Sequence, residues 1–325
     1  QALIDLGYDD VLDNYVVTDS ISGVTGIDIS DRGISDLTGI EDFIALEGMT
    51  CRANNMSSLD LSNSPALAML WIDDNELTSL DVSANTALWF LRCSNNELTS
   101  LDVSNNIALT QLRCSNNELT SLDVSVNTAL TELFCNSNQL TSLDVSNNTA
   151  LTNLSCAGNQ LTGLDVSNNT ALEIIQNYNN QLTSLELSSN TALATLNCGS
   201  NQLTSLDMSA NTALTYLNCH TNQLTSLDLS NNTLLTYLHA GSNQLTDLDM
   251  SQNAELTTVW VGFNSLGSLD VSANTALIDL RVPGNQLIIM DVSTNIALEH
   301  LDLWVNQLTT LDVNNNTALI TLKAS

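Results

Sequence analysis

The chain has 325 residues, of which only 13% are charged, about half the usual share. Its 36 acids outnumber its 6 bases, giving a formal net charge of −30. Phosphate binding needs clustered Lys and Arg, so nucleic acid and anionic membrane surfaces are excluded as partners, and no apolar run is long enough to insert into a bilayer.

The chain opens at Gln1 without a leader-like stretch and reads as a processed piece. Ala2, Leu3 and Leu6 followed by Gly7 predict a short helix with a glycine stop. Asp10 to Tyr15 predicts a second turn with Val11, Leu12 and Tyr15 inward. Asp9, Asp10, Asp13 and Asn14 are oxygen ligands by type but lack EF-hand spacing. Ile21 to Phe43 reads as an irregular first coil with Ile27 and Ile29 in its strand. Residues 1–45 are therefore expected to cap the apolar face of the array that follows.

From residue 46 to 325 a single 21-residue register holds without insertion or deletion. Leu67 recurs as Leu88, Leu109, Leu130 and onward to Leu319, and about thirteen coils fit the frame. Each coil has two similar halves, Leu67-x-x-Leu70-x-Ile72-x-x-Asn75 and Leu77-x-x-Leu80-x-Val82-x-x-Asn85. The Leu-x-apolar step has period two, so each half predicts a short strand with those side chains inward. The Asn closing each half sits where the chain must turn, and its side chain can bond backbone groups that the turn leaves open. The predicted fold is a mainly β solenoid of short parallel strands with a small helical N-terminal cap. The last strand, ending at Ala324, has no cap. The polypeptide is expected to continue past Ser325, because an open edge promotes end-to-end association.

The pattern Leu-Thr-x-Leu-x-Cys-Ser-Asn-Asn-x followed by Leu-Thr-Ser-Leu-Asp-Val-Ser-x-Asn-Thr-Ala, clear from Leu109 to Ala129, resembles the leucine-rich repeat proteins. It is similar to their short 21-residue bacterial subclass, as in secreted or surface proteins of Bacteroidetes-type bacteria. The resemblance spans residues 46–325 and implies a surface or secreted location. It says little of function, since this scaffold hosts many binding roles.

Cys51, Cys93, Cys114, Cys135, Cys156, Cys198 and Cys219 all take one inward strand position, where other coils carry Ile, Val, Leu, Ala or Asn177. They read as a ladder of buried thiols acting as small apolar residues. An outward acidic row runs through Asp60, Asp81, Asp102, Asp123, Asp144 and Asp165 to Asp312. At ~4.8 Å spacing neighbouring carboxylates repel. Two things can offset this: bonds to the following Ser, or Ca²⁺ shared between coils at Asp81, Asp102, Asp123 and Asp144. His220 and His239 lie on adjacent coils, where a shared metal is a second possibility. No nucleophile elbow, phosphate loop or HExxH is present, so the chain reads as a non-enzyme.

The two halves differ in variety. The second is monotonous. The first holds all ten aromatics of the array: Trp71, Trp89, Phe90, Phe134, Tyr178, Tyr216, Tyr237, Trp260, Phe263 and Trp304. It also holds Arg52, Arg92, Arg113, Arg281, Lys323 and every histidine. First-half strands are thus expected to form a recognition face and second-half strands a structural back. Two patches emerge. One comprises Trp71, Trp89, Phe90, Arg92, Arg113 and Phe134. The other comprises Tyr216, Tyr237, His239 and Trp260, with His220 and Phe263 nearby. The leading function is a secreted or cell-surface module binding protein or carbohydrate. The alternatives are a structural spacer or surface-layer element without a specific ligand, and an ice-binding protein using Thr rows such as Thr78, Thr99 and Thr120.

Overall fold

The computed structural model describes residues 2–11 and 16–324. Leu12 and Tyr15 of the expected second turn, and Asp13 and Asn14, lie outside the described residues. Val11 is not inward but 52% exposed. The short N-terminal helix is present over Ala2–Asp5. It stops at Gly7, whose φ of +80° only glycine adopts readily. There the Gly7 and Tyr8 N–H groups donate to Ile4 O and Leu3 O, both at 2.9 Å.

The chain forms two compact units, Gln1–Leu151 and Thr152–Ser325. In the first unit the strands are β1 Gly26–Asp28, β2 Gly48–Thr50, β3 Met69–Trp71, β4 Phe90–Arg92, β5 Gln111–Arg113 and β6 Glu132–Phe134. In the second they are β7 Asn153–Ser155, β8 Ile174–Gln176, β9 Thr195–Asn197, β10 Tyr216–Asn218, β11 Tyr237–His239, β12 Thr258–Trp260, β13 Asp279–Arg281, β14 His300–Asp302 and β15 Thr321–Lys323. Within each unit sequential strands pair in parallel. Met69 faces Phe90, Leu70 faces Leu91 and Trp71 faces Arg92, one 21-residue repeat apart. The irregular first coil is one residue longer, with Gly26 facing Gly48.

A typical coil turns six apolar side chains inward. In one coil Leu67, Leu70, Ile72, Leu77, Val82 and, at 7% exposure, Leu80 are all buried. Burying each such side chain contributes ~1.5–3 kcal/mol, which suffices to order strands of only three residues. All seven cysteines are buried thiols. Burial pushes Cys51, Cys114, Cys156 and Cys219 up to about 12 and Cys93 and Cys198 well above the ordinary thiol value. They stay protonated and chemically quiet.

The first-half Asn staples coils together. Asn96 Nδ2 donates to Ile72 O (3.0 Å) in the preceding coil and to Cys93 O (3.2 Å) in its own, while its Oδ1 accepts from Leu77 N (3.1 Å). The residue before it, Asn95, has φ +55°, a left-handed conformation that Asn tolerates.

The expected second-half strands do not form. Immediately past the Leu80–Val82 segment the chain turns on itself: Ser83 N donates to Asp81 Oδ1 (2.9 Å), Asn85 N to Val82 O (3.0 Å) and Leu88 N to Asn85 O (3.1 Å). Closely spaced turns thus replace a second sheet, and Asn106 Nδ2 links coils there by donating to Val82 O (3.0 Å) and Asn85 O (2.8 Å).

Candidate functional site

Outward side chains on β3–β6 form the first patch. Trp71 sits on the middle of three neighbouring coils. Arg52, from the coil before, lies 5.4 Å from its ring centroid, and Arg92, from the coil after, lies 4.2 Å from it. Both faces of the indole are therefore covered by guanidinium groups. Asp73, only 3% exposed, organises this group. Trp71 Nε1 (2.7 Å) and Arg92 Nε (3.0 Å) donate to its Oδ2, and Ser94 N (2.7 Å) donates to its Oδ1. A buried carboxylate persists only when satisfied in this way. Further along, Arg113 pairs with Glu132 at 2.9 Å and lies 4.4 Å over the Phe134 ring. Trp89 and Phe90 meet at 5.6 Å, tilted by 57°, with Trp89 44% exposed.

The second patch occupies β10–β13. Tyr216 and Tyr237 stack at 4.4 Å with planes 5° apart, and His220 and His239 stack beside them at 4.6 Å and 6°. Trp260 meets Tyr237 (5.7 Å) and His239 (5.3 Å) edge-on, and Arg281, itself paired with Asp279 at 2.8 Å, covers it at 4.4 Å. Two glycines make room for the imidazoles. A Cβ on Gly199 would come within 2.2 Å of His220 Nδ1, and one on Gly241 within 3.3 Å of His239 Nε2.

Burial lowers the pKa of both histidines, and His239, with the His220 charge adding, falls to about 4. Both rings are neutral at physiological pH. Burial and the adjoining Tyr216 push the Tyr237 phenol up to about 12. The stacked imidazoles turn their faces to one another, whereas their lone pairs lie in the ring planes and run parallel. Such a pair does not converge on one ion.

His220 Nδ1 donates to Asn218 Oδ1 (2.8 Å), leaving Nε2 to accept from Ser200 Oγ (3.4 Å). This order of groups is that of a hydrolase relay. However, Ser200 N donates to His220 O (2.8 Å) and Asn201 N to Thr221 O (3.2 Å), so these two amides are not available to hold an oxyanion.

The acidic row is held locally. Ser83, Ser104, Ser125 and Ser146 donate their amides to Oδ1 of Asp81, Asp102, Asp123 and Asp144, each at 2.9 Å. The same serines keep the Asp81, Asp102 and Asp123 carboxyls below their ordinary pKa.

Sequence columns correctly place Tyr216 beside Tyr237, His239 beside Trp260 and Arg92 beside Trp71. Asp73, Asp279 and Gly199 were not singled out as site residues. Asp73 carried one signal, being the carboxylate in a column that continues Ser94, Ser115, Asn136. Apart from exposed Arg52, Trp89 and Arg281, the site side chains are also held more firmly than outward-facing residues usually are: they are half-buried and in contact with one another.

A one-sheet parallel solenoid with a Leu-x-apolar core, an Asn staple and a varied strand face defines a leucine-rich repeat module. The functional domain of InlJ from Listeria monocytogenes, whose structure includes a cysteine ladder, is 40% identical. The match covers 94% of this chain and 69% of that one, with a TM-score of 0.92. The chain belongs to the leucine-rich repeat proteins. An internalin (inlF) from the same organism shares the fold at 22% identity and TM-score 0.84, over 98% of this chain and 91% of that one. A leucine-rich repeat protein of Leptospira interrogans does so at 23% and 0.78, over 93% and 90%. No protein-family model and no curated protein matches the chain.

Proposed function

We propose that this chain is a recognition module of a secreted or bacterial cell-surface protein, binding a protein or glycan partner through its first-half strand face. The observation that carries the reading is the preset arrangement of aromatic and Arg side chains on that face. Trp71, Arg92 and Asp73 in one unit, and Tyr237, His239 and Trp260 in the other, are already in contact before any ligand arrives. Rigid aromatic and Arg anchors lose little entropy on binding and dominate interface energies. The second-half surface, by contrast, repeats Thr, Ser and Asp from coil to coil.

The test compares two multiple variants. Trp89→Ser with Phe90→Ser and Tyr216→Ala should abolish capture of any ligand the wild-type chain binds. Thr99→Ala with Ser100→Ala and Thr204→Ala should leave capture intact. The opposite result would move the recognition face to the second half. Thermal hysteresis lost in the Thr variant would transfer the reading to ice.

A further inference from the structure

The six strands β7–β12 carry no Asp, Glu, Lys or Arg, in a chain of net charge −30. Charged residues return at β13, with Asp279 and Arg281. Within this neutral tract β9 is low. Its outward residues are Thr195 and Asn197, and Gly199 follows.

The neighbours of β9 are tall. On one side stands Tyr216, its far face stacked on Tyr237 at 4.4 Å. That separation nearly equals the ~4.8 Å between strands, so the rings stack along the ladder. The near face of Tyr216 therefore looks across β9, where Thr195 is too short to cover it. On the other side stand Ile174 and Gln176 of β8. His220, leaning over Gly199, closes one end.

The two walls are two coils apart, roughly 9.6 Å. A flat ring needs about 3.5–4.0 Å of contact distance on each side, roughly 7–8 Å in all. One ring layer fits. The floor and far wall offer hydrogen-bonding groups that the chain does not use itself. Among the described residues Thr195 Oγ and Asn197 Nδ2 have no hydrogen-bond partner, and Gln176, which accepts from Ser155 Oγ at 3.2 Å, keeps its amide N–H groups.

We propose that this trough across β9, walled by Tyr216 and floored by Thr195 and Asn197, is a binding site for an uncharged carbohydrate. A sugar ring lies with its C–H face on Tyr216 and its hydroxyls on the Asn197 and Gln176 amides. Acidic sugars are disfavoured by the net charge of the chain, and strands β7–β12 carry no Lys or Arg to pair with them. The proposal rests on the recognition-face reading and names the ligand class for one part of it.

The experiment is an array of neutral hexose and N-acetylhexosamine oligomers, printed beside sialylated and sulfated counterparts and probed with the full chain. Neutral oligomers should bind, and binding should survive about 0.5 M NaCl, because no ion pair contributes. Tyr216→Ala should weaken it by about tenfold or more. Thr195→Trp, which fills the trough, should abolish it while the circular dichroism spectrum is unchanged. Binding confined to acidic glycans, no glycan binding, or wild-type binding by Thr195→Trp would each overturn the proposal. A protein ligand lost with Tyr216→Ala, in the absence of glycan binding, would overturn the carbohydrate assignment alone and leave the recognition face standing.

Discussion

Asn177 occupies the ladder position that Cys156 and Cys198 hold in the adjoining coils, and it is completely buried. Neither its Oδ1 nor its Nδ2 has a hydrogen-bond partner among the described residues. Its backbone is fully engaged, with N donating to Asn197 O (2.9 Å) and O accepting from Asn180 and Asn201 Nδ2 (both 3.1 Å). Replacing the side chain therefore disturbs only the amide. A buried polar group left unsatisfied costs ~1–3 kcal/mol, and Cys is close to Asn in size, so Asn177→Cys opens no large cavity. The variant should gain about 2 kcal/mol. For a unit of this size that raises the melting temperature by roughly 4–8 °C. Differential scanning calorimetry reads the shift directly. The reverse change, Cys198→Asn, should lower the transition by a similar amount. If Asn177→Cys leaves the melting temperature unchanged or lowers it, the argument from orphaned amides is wrong.

The fold should lose stability as pH falls from about 6.5 to about 4. An unfolded imidazole binds a proton near 6.5, whereas folded His239 does so only at about 4. The unfolded state holds more protons in between. His239→Gln should flatten that part of a melting-temperature profile, while the loss from the depressed Asp81, Asp102 and Asp123 sets in as pH falls through about 3.8 and below. Native protein should resist alkylation at all seven cysteines, and unfolding without reductant should yield seven adducts by mass spectrometry; one reproducible bridge would contradict the buried-thiol ladder. Asn96→Ala removes the acceptor of Leu77 N and two inter-coil or intra-coil donors, and should cost about 3 kcal/mol in denaturant unfolding, against under ~0.5 kcal/mol for exposed Asn105→Ala. Millimolar Ca²⁺ should stabilise the chain no more than NaCl of equal ionic strength, since Oδ1 of Asp81, Asp102, Asp123 and Asp144 is in each case already engaged by a following Ser N–H; a Ca²⁺-specific rise would make the acidic row a cation site.

The 21-residue period by itself determined the repeat, the inward columns and the burial of the cysteines, because a stack of coils forces residues one repeat apart to be neighbours. Leu70 faces Leu91, and Tyr216 faces Tyr237, for that reason alone. The two halves of each coil look equivalent at this level, and the sequence did not reveal that only one pairs into a sheet. In the second half Asp81 and the turns at Val82 and Asn85 take the N–H groups of Ser83, Asn85 and Leu88, so the chain turns directly after Val82. The contacts that define the site lay beyond the columns too. Arg92 reaches Asp73 nineteen residues away, and Trp71 reaches the same carboxylate two residues on. Such diagonals depend on how the chain bends after each strand and on the rotamers that neighbours allow. Whether two rings stack, as His220 and His239 do, or meet edge-on, as His239 and Trp260 do, is likewise set by the space around them. Gly199 opens that space for His220. A one-dimensional repeat encodes adjacency, but direction and distance within each adjacent pair are fixed only once the coils are packed.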